Sequence, residues 1–202
     1  MSKAVLISIQ PKWCELIASG KKTVEVRKTA PKLDTPFKCY IYCTKNKWQH
    51  LVQMPDKSYR IYNGKEYGKY DKSLIFGGEA NGKVICEFVC DRIFPISVHY
   101  DNPNCKLALK EFPYVCLTDK QIIDYLGNGK KGYGWHISNI KIYDKPKDLS
   151  EFYKKCEKTP CEGCEHLKYQ KVNSQERDWD CEYLNYQIPI TRPPQSWCYV
   201  EE

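Results

Sequence analysis

The stretch ISIQPKWCELIASGKKTVEVRK, residues 7–28, decides how this chain is read. It opens inside Ala4–Gln10 (AVLISIQ), which is β-branched and alternates Val5, Ile7 and Ile9 against Leu6 and Ser8, the pattern of a strand. Pro11 suits the first turn of a helix, where its missing N–H costs nothing. Trp13, Leu16 and Ile17 then recur at helical spacing, and Gly20 is a natural left-handed stop. Thr23–Lys28 returns to strand. Alternation there puts Thr23, Glu25 and Arg27 on one face and Val24 and Val26 on the other, so the valines suit a core.

Glu25 and Arg27 stand two residues apart along one strand, about 7 Å between Cα atoms, and can reach a common ligand or each other. Lys22 sits at the helix-to-strand junction, where alternation does not fix its direction. Arg27 offers a planar fork for a phosphate or a base edge. Lys22, if desolvated, can serve as a base or activating group, and Glu25 can orient it or accept hydrogen bonds from a nucleobase. Lys22 and Glu25 are therefore the candidate catalytic residues and Arg27 a candidate ligand-binding residue. The competing reading of the same spacing is a salt-bridged, solvated strand.

The 202 residues fit one domain or a domain with an appended module, and a hydrophobic content of 42% supports a real core. Further strands are predicted at Phe37–Thr44, Gly82–Ile93 and Gly132–Tyr143. A capping-box helix opens at Thr118 with Gln121 three residues on and Gly127 at its end. A short helix is expected over Leu149–Lys155, and the closing residues pair as a final strand. Residues 94–117 read as irregular because Pro95, Pro103 and Pro113 interrupt them. This order predicts an α+β fold on a mixed, barrel-like sheet with flanking helices, and not a doubly wound one. The expected organisation is a barrel over 1–148, with an insertion at 45–78, a cysteine-rich module over 149–190, and a strand in 191–202 returning to the barrel.

Net charge is +7, and residues 1–75 carry 15 Lys/Arg against 6 Asp/Glu. Such a bias favours a polyanionic partner, nucleic acid above all. The insertion interleaves seven basic residues with Trp48, Tyr59, Tyr62, Tyr67 and Tyr70, the composition of a single-strand track; Lys45, Lys47, Arg60, Tyr62 and Lys65 are its candidate contacts. Asn63-Gly64 is its expected hairpin turn. The alternative is a solvated hairpin whose tyrosines cover the barrel. Trp13, Tyr133, Trp135 and His136 are candidates for stacking or edge contacts in the cleft, against the commoner role of aromatics as core.

No stretch has the composition of a signal peptide or a membrane span, so a cytoplasmic location with reduced cysteines is expected. Cys156, Cys161 and Cys164 stand in C-x4-C-x2-C, with sixteen residues before Cys181, a set that can close a structural zinc site. Cys39/Cys43 and Cys86/Cys90 read instead as small buried hydrophobes. No P-loop, nucleophile-elbow or dinucleotide-binding glycine pattern occurs.

The opening stretch resembles the N-terminal signature of ASCH domains, a PUA-like β-barrel family, in which a strand and an apolar helix precede G-x-K-x-x-E-x-R. Gly20, Lys22, Glu25 and Arg27 match that pattern position by position. GKVICEFVCDRI, YGWHISNIKIY and PPQSWCYV also look like segments of the longer bacterial and phage ASCH proteins. The resemblance implies a PUA-like barrel that binds RNA, a nucleotide or a modified nucleobase in a cleft lined by Lys22, Glu25 and Arg27. Some members are hydrolases, removing the acetyl group of N4-acetylcytidine or cleaving RNA. The deacetylating members carry a threonine where this chain has Glu25, so only their lysine carries over, as Lys22. A reader of single-stranded nucleic acid or a modified nucleoside is the first expectation, a hydrolase (amidohydrolase or ribonuclease) the second, and a protein-interaction module the third.

Overall fold

A computed structural model describes residues 3–67, 78–97, 113–155 and 187–202. The apolar alternation of the first strand does what the sequence asks: β1 (Lys3–Ile9) is buried from Ala4 onward and runs parallel to β3 (Phe37–Cys43). Between them lie helix α1 (Pro11–Ala18), with Pro11 in its first turn, and β2 (Val24–Arg27). Gly20, at φ +73°, turns the chain out of α1, a conformation that suits glycine.

A hairpin follows, β4 (Gln49–Gln53) and β5 (Tyr59–Asn63), and then a one-turn helix α2 (Gly64–Tyr67). The turn of this hairpin is not at Asn63-Gly64. It falls at Met54–Ser58, where Asp56 Oδ1 accepts from the Ser58 N–H at 3.0 Å and its hydroxyl at 2.6 Å, and Lys57 takes φ +65°. Asn63 ends β5 and Gly64 opens α2. That register lets Leu51 and Tyr59 enter the core, which outweighs the local preference of an Asn-Gly pair.

In the long ribbon of β6 (Val84–Ser97) and β7 (Lys131–Lys147), β6 starts inside the strand expected from Gly82 but runs past Ile93, β7 exceeds its expected strand at both ends, and Pro95 is held within β6 opposite Tyr133. Three register shifts along the pair bend it. Helix α3 (Asp119–Leu126) has the predicted capping box, with both reciprocal bonds between Thr118 and Gln121 formed. The helix expected over Leu149–Lys155 is only a 3-10 turn, Leu149–Glu151; the chain then enters β8 (Tyr153–Lys155). Tyr153 there pairs with both β10 and β9, so strand bonding competes with helix for these residues. β9 (Gln187–Pro189) and β10 (Trp197–Glu201) complete the sheet.

The eight-stranded sheet runs β2-β7-β6-β3-β1-β10-β8-β9, an α+β, mixed and barrel-like arrangement. Its main core gathers Val5, Ile7, Ile9, Phe88 and Trp135 with Cys14, Cys39, Cys43, Cys86 and Cys90. Burial pushes the thiols of Cys14, Cys39, Cys86 and Cys90 upward, so they pack as apolar groups. A second core lies outside β2, where Val24 and Val26 meet Ile122, Ile123 and Leu126 of α3. No helix among the described residues is long and apolar enough to cross a membrane.

Gly132 is what lets α3 close on β2 and β7. A Cβ there would lie 2.6 Å from a Leu126 methyl and 3.0 Å from the Arg27 carbonyl oxygen. Gly132→Ala is expected to lower stability by about 1–3 kcal/mol, read as a lower urea midpoint with an unchanged m-value.

Candidate functional site

Strand β2 is an edge strand, yet all four of its residues are buried. Its valines face α3, and Glu25 and Arg27 face the interior of the curled sheet. Lys22 precedes it with 1% exposure. The Lys22 ammonium donates to Val24 O and Val115 O, both at 2.6 Å, and lies 3.5 Å from Glu25 Oε2. Glu25 Oε1 in turn sits 3.0 Å from Arg27 Nη2. Arg27 Nη2 also donates to the Ser8 carbonyl of β1 at 2.6 Å, and Nη1 to Ser196 Oγ at 3.4 Å.

Two cations flank one carboxylate, so the buried trio keeps one net positive charge. Burial pushes Lys22 below the usual lysine value, and the Glu25 carboxylate opposes that shift. Three acceptors around Nζ suit an ammonium, whose three hydrogens they occupy. Arg27 differs: its buried Nε–H finds no acceptor among the described residues.

The trio forms part of the wall of a cleft of about 1080 Å3. Trp13 of α1, Tyr42 of β3 and Tyr125 of α3 add aromatic surface, Lys45 stands at its rim, and Pro193 and Pro194 close one side. The Trp13 ring centroid lies 5.5 Å from Lys22 Nζ and 4.7 Å from Lys12 Nζ. Ser8 Oγ donates to Pro194 O at 2.6 Å, which ties the proline segment to β1 beside Arg27.

Of the residues singled out in the sequence, Lys22, Glu25, Arg27, Trp13 and Lys45 line one cleft. Trp135, Tyr133 and His136 do not. Trp135 is fully buried, with Phe37 and Trp197 ring centroids at 6.0 and 5.9 Å. Tyr133 lies opposite Arg27 in register but is 36% exposed and is not part of the cleft wall. His136 Nδ1 is 2.6 Å from Asp91 Oδ1 on the outer surface of the ribbon. Lys47 and Arg60 are exposed on the insertion, while Tyr62 is half-buried with its hydroxyl toward Met54 Sδ. The side chain of Lys65 and the cysteines Cys156, Cys161, Cys164 and Cys181 lie outside the described residues. Among the described residues no cluster of three or more His, Cys, Asp or Glu could hold a metal.

Sequence reasoning missed Ser8, Gln121 and Tyr125 of the wall and Ser196 on the guanidinium. The capping box announces α3, but nothing local shows that Tyr125 points to a cleft. Ser8 and Pro194 are 186 residues apart, a contact only folding reveals.

Replacing Lys22 by methionine keeps its length but strands two buried carbonyls and removes a partner of Glu25. Lys22→Met is expected to cost about 3–5 kcal/mol of folding free energy, measured by urea denaturation followed by tryptophan fluorescence.

Residues 7–93 match the family model described as "ASCH domain". No curated protein matches the chain. Among solved structures, the ASCH protein from Zymomonas mobilis superposes with a TM-score of 0.51 at 18% identity, covering 98% of this chain and 88% of that one. A tyrosine-to-phenylalanine variant of the same protein gives 0.52 at 17% identity, covering 100% and 92%. At that identity the likeness concerns the fold. The matched segment, residues 7–93, includes the strand–helix–strand unit that builds the trio, so this part of the chain is similar to the ASCH domain in sequence pattern as the whole is in fold.

Proposed function

We propose that the cleft binds a nucleotide unit of single-stranded RNA, with a modified base as one form of that ligand. One observation carries the reading: a buried trio of net positive charge lines a cleft that also holds the rings of Trp13, Tyr42 and Tyr125. The volume suits one nucleotide with its phosphate; ligand pockets commonly measure about 300–1,000 Å3. Arg27 is the central contact, because its Nε–H is a buried donor still lacking an acceptor and its charge is fixed. Trp13 and Tyr125 supply ring surface for stacking, and Lys45 supplies charge for a phosphate at the rim.

In this arrangement Lys22 is a positioning residue. Its ammonium holds Glu25, Glu25 holds Arg27, and Arg27 presents the free donor. The same geometry argues against Lys22 as a general base, since three oxygens surround its ammonium and hold it in the charged form, which has no lone pair to take a proton. Binding is therefore favoured over hydrolysis at Lys22.

The test is fluorescence anisotropy of a labelled RNA hexanucleotide at two salt concentrations, with the RNA recovered for mass analysis. Wild type should bind with salt-sensitive affinity. Arg27→Lys keeps a charge but loses the fork, and should weaken binding by about tenfold; circular dichroism checks that it folds. Unchanged binding by Arg27→Lys and by a folded Arg27→Ala would remove the cleft from the reading. Shortened RNA would replace a reader with a ribonuclease.

A further inference from the structure

Lys45 lines the cleft, and three residues on stands Trp48, whose side chain is 69% exposed, more than any other large hydrophobic among the described residues. Its backbone is nonetheless held. Asn46 Oδ1 accepts from the N–H of Trp48 at 2.8 Å and of Gln49 at 3.0 Å, and the Trp48 carbonyl accepts from Gly64 N at 3.0 Å. The indole is thus carried on a fixed point at the base of the β4–β5 hairpin and still left in water. Single exposed apolar side chains are ordinary on protein surfaces. This one is distinguished by its pinned backbone and by the Lys47 ammonium over its ring.

Lys47 Nζ lies 5.1 Å from the Trp48 ring centroid. Lys45 is drawn along the cleft rim over Gly82, where its Cε would lie 2.9 Å from an added Cβ. Three residues of chain span at most about 11 Å, so the indole and the rim are within reach of neighbouring nucleotides. An aromatic face with an ammonium beside it is the chemistry that stacks a base of any identity and neutralises the phosphate next to it.

We propose that Trp48, with Lys47, forms a second nucleotide subsite outside the cleft, so that the ligand is a single-stranded oligonucleotide and not a free nucleoside. The proposal rests on the cleft reading above and extends it by one base. A base stacking on the indole displaces the Lys47 ammonium from the ring toward the adjoining phosphate, and Lys45 bridges from that phosphate to the cleft.

Two probes separate the subsites: a mixed-sequence RNA hexanucleotide, followed by anisotropy, and the four ribonucleoside 5′-monophosphates, followed by calorimetry. Trp48→Ala is expected to weaken the hexanucleotide by about 5- to 150-fold, the range of losing one base–aromatic stack, while monophosphate binding is unchanged. Trp48→Phe should retain most of the hexanucleotide affinity. Equal hexanucleotide binding by Trp48→Ala and wild type overturns the proposal, as does equal weakening of both probes. Loss on Trp48→Ala together with full retention on Arg27→Lys and on a folded Arg27→Ala supports the ring and overturns the cleft reading alone. Failure of wild type to bind either probe overturns both. Sedimentation without ligand covers the remaining occupant: concentration-dependent dimers abolished by Trp48→Ala would make the indole a contact between copies and overturn the subsite.

Discussion

The Arg27 guanidinium is the point at which the curled sheet meets itself. β2 sits at one edge of the strand order and β1 is fifth in it, three strands lying between them, yet Arg27 Nη2 donates to the Ser8 carbonyl at 2.6 Å. A side chain thus does the closing work that backbone ladder bonds do in a continuous barrel. The charge this requires is buried, so it must be compensated. Glu25 supplies the compensation at 3.0 Å, and Lys22, buried with it, holds the other carboxylate oxygen. The remainder of the site hangs on this chain of three.

Several distant segments exist, in structural terms, to complete that arrangement. The turn ending at Val115 offers the carbonyl that Lys22 needs, and Tyr114 O accepts from Thr23 N at 3.1 Å. Helix α3 covers the valine side of β2, which lets an edge strand be buried on both faces without an exposed apolar row. The segment before β10 brings Pro194 and Ser196 to β1 and Arg27. The family match ends at residue 93, but the cleft draws walls from α3, the Asp148–Ser150 turn and residues 190–195. In this chain Lys22, Glu25 and Arg27 of the matched segment supply charge, and the later segments supply shape.

Fold and site were legible to different degrees, and the reason is the range of the interactions involved. β1, α1, β2 and α3 could be read from periodicity and caps because their determinants lie within four residues of one another. The hairpin turn was misplaced because two adjacent stretches both had turn chemistry, and burial of Leu51 and Tyr59 chose between them. Trp135 illustrates the same limit. Its strand position puts it on the same face as Glu25, but Phe37 and Trp197 enclose it, so a residue suited to a stacking role serves as core.

What the sequence by itself determined is the alternation of β2: Glu25 and Arg27 on one face, Val24 and Val26 on the other, after a glycine-stopped helix. Period-two geometry allows nothing else. Whether that polar face met water or the interior was decided only by tertiary structure. The bends in the β6–β7 ribbon, the close approach of α3 over Gly132, and the return of the C-terminal segment together desolvate the trio. Local spacing places charges on a face; only packing sets the dielectric and the partners they meet.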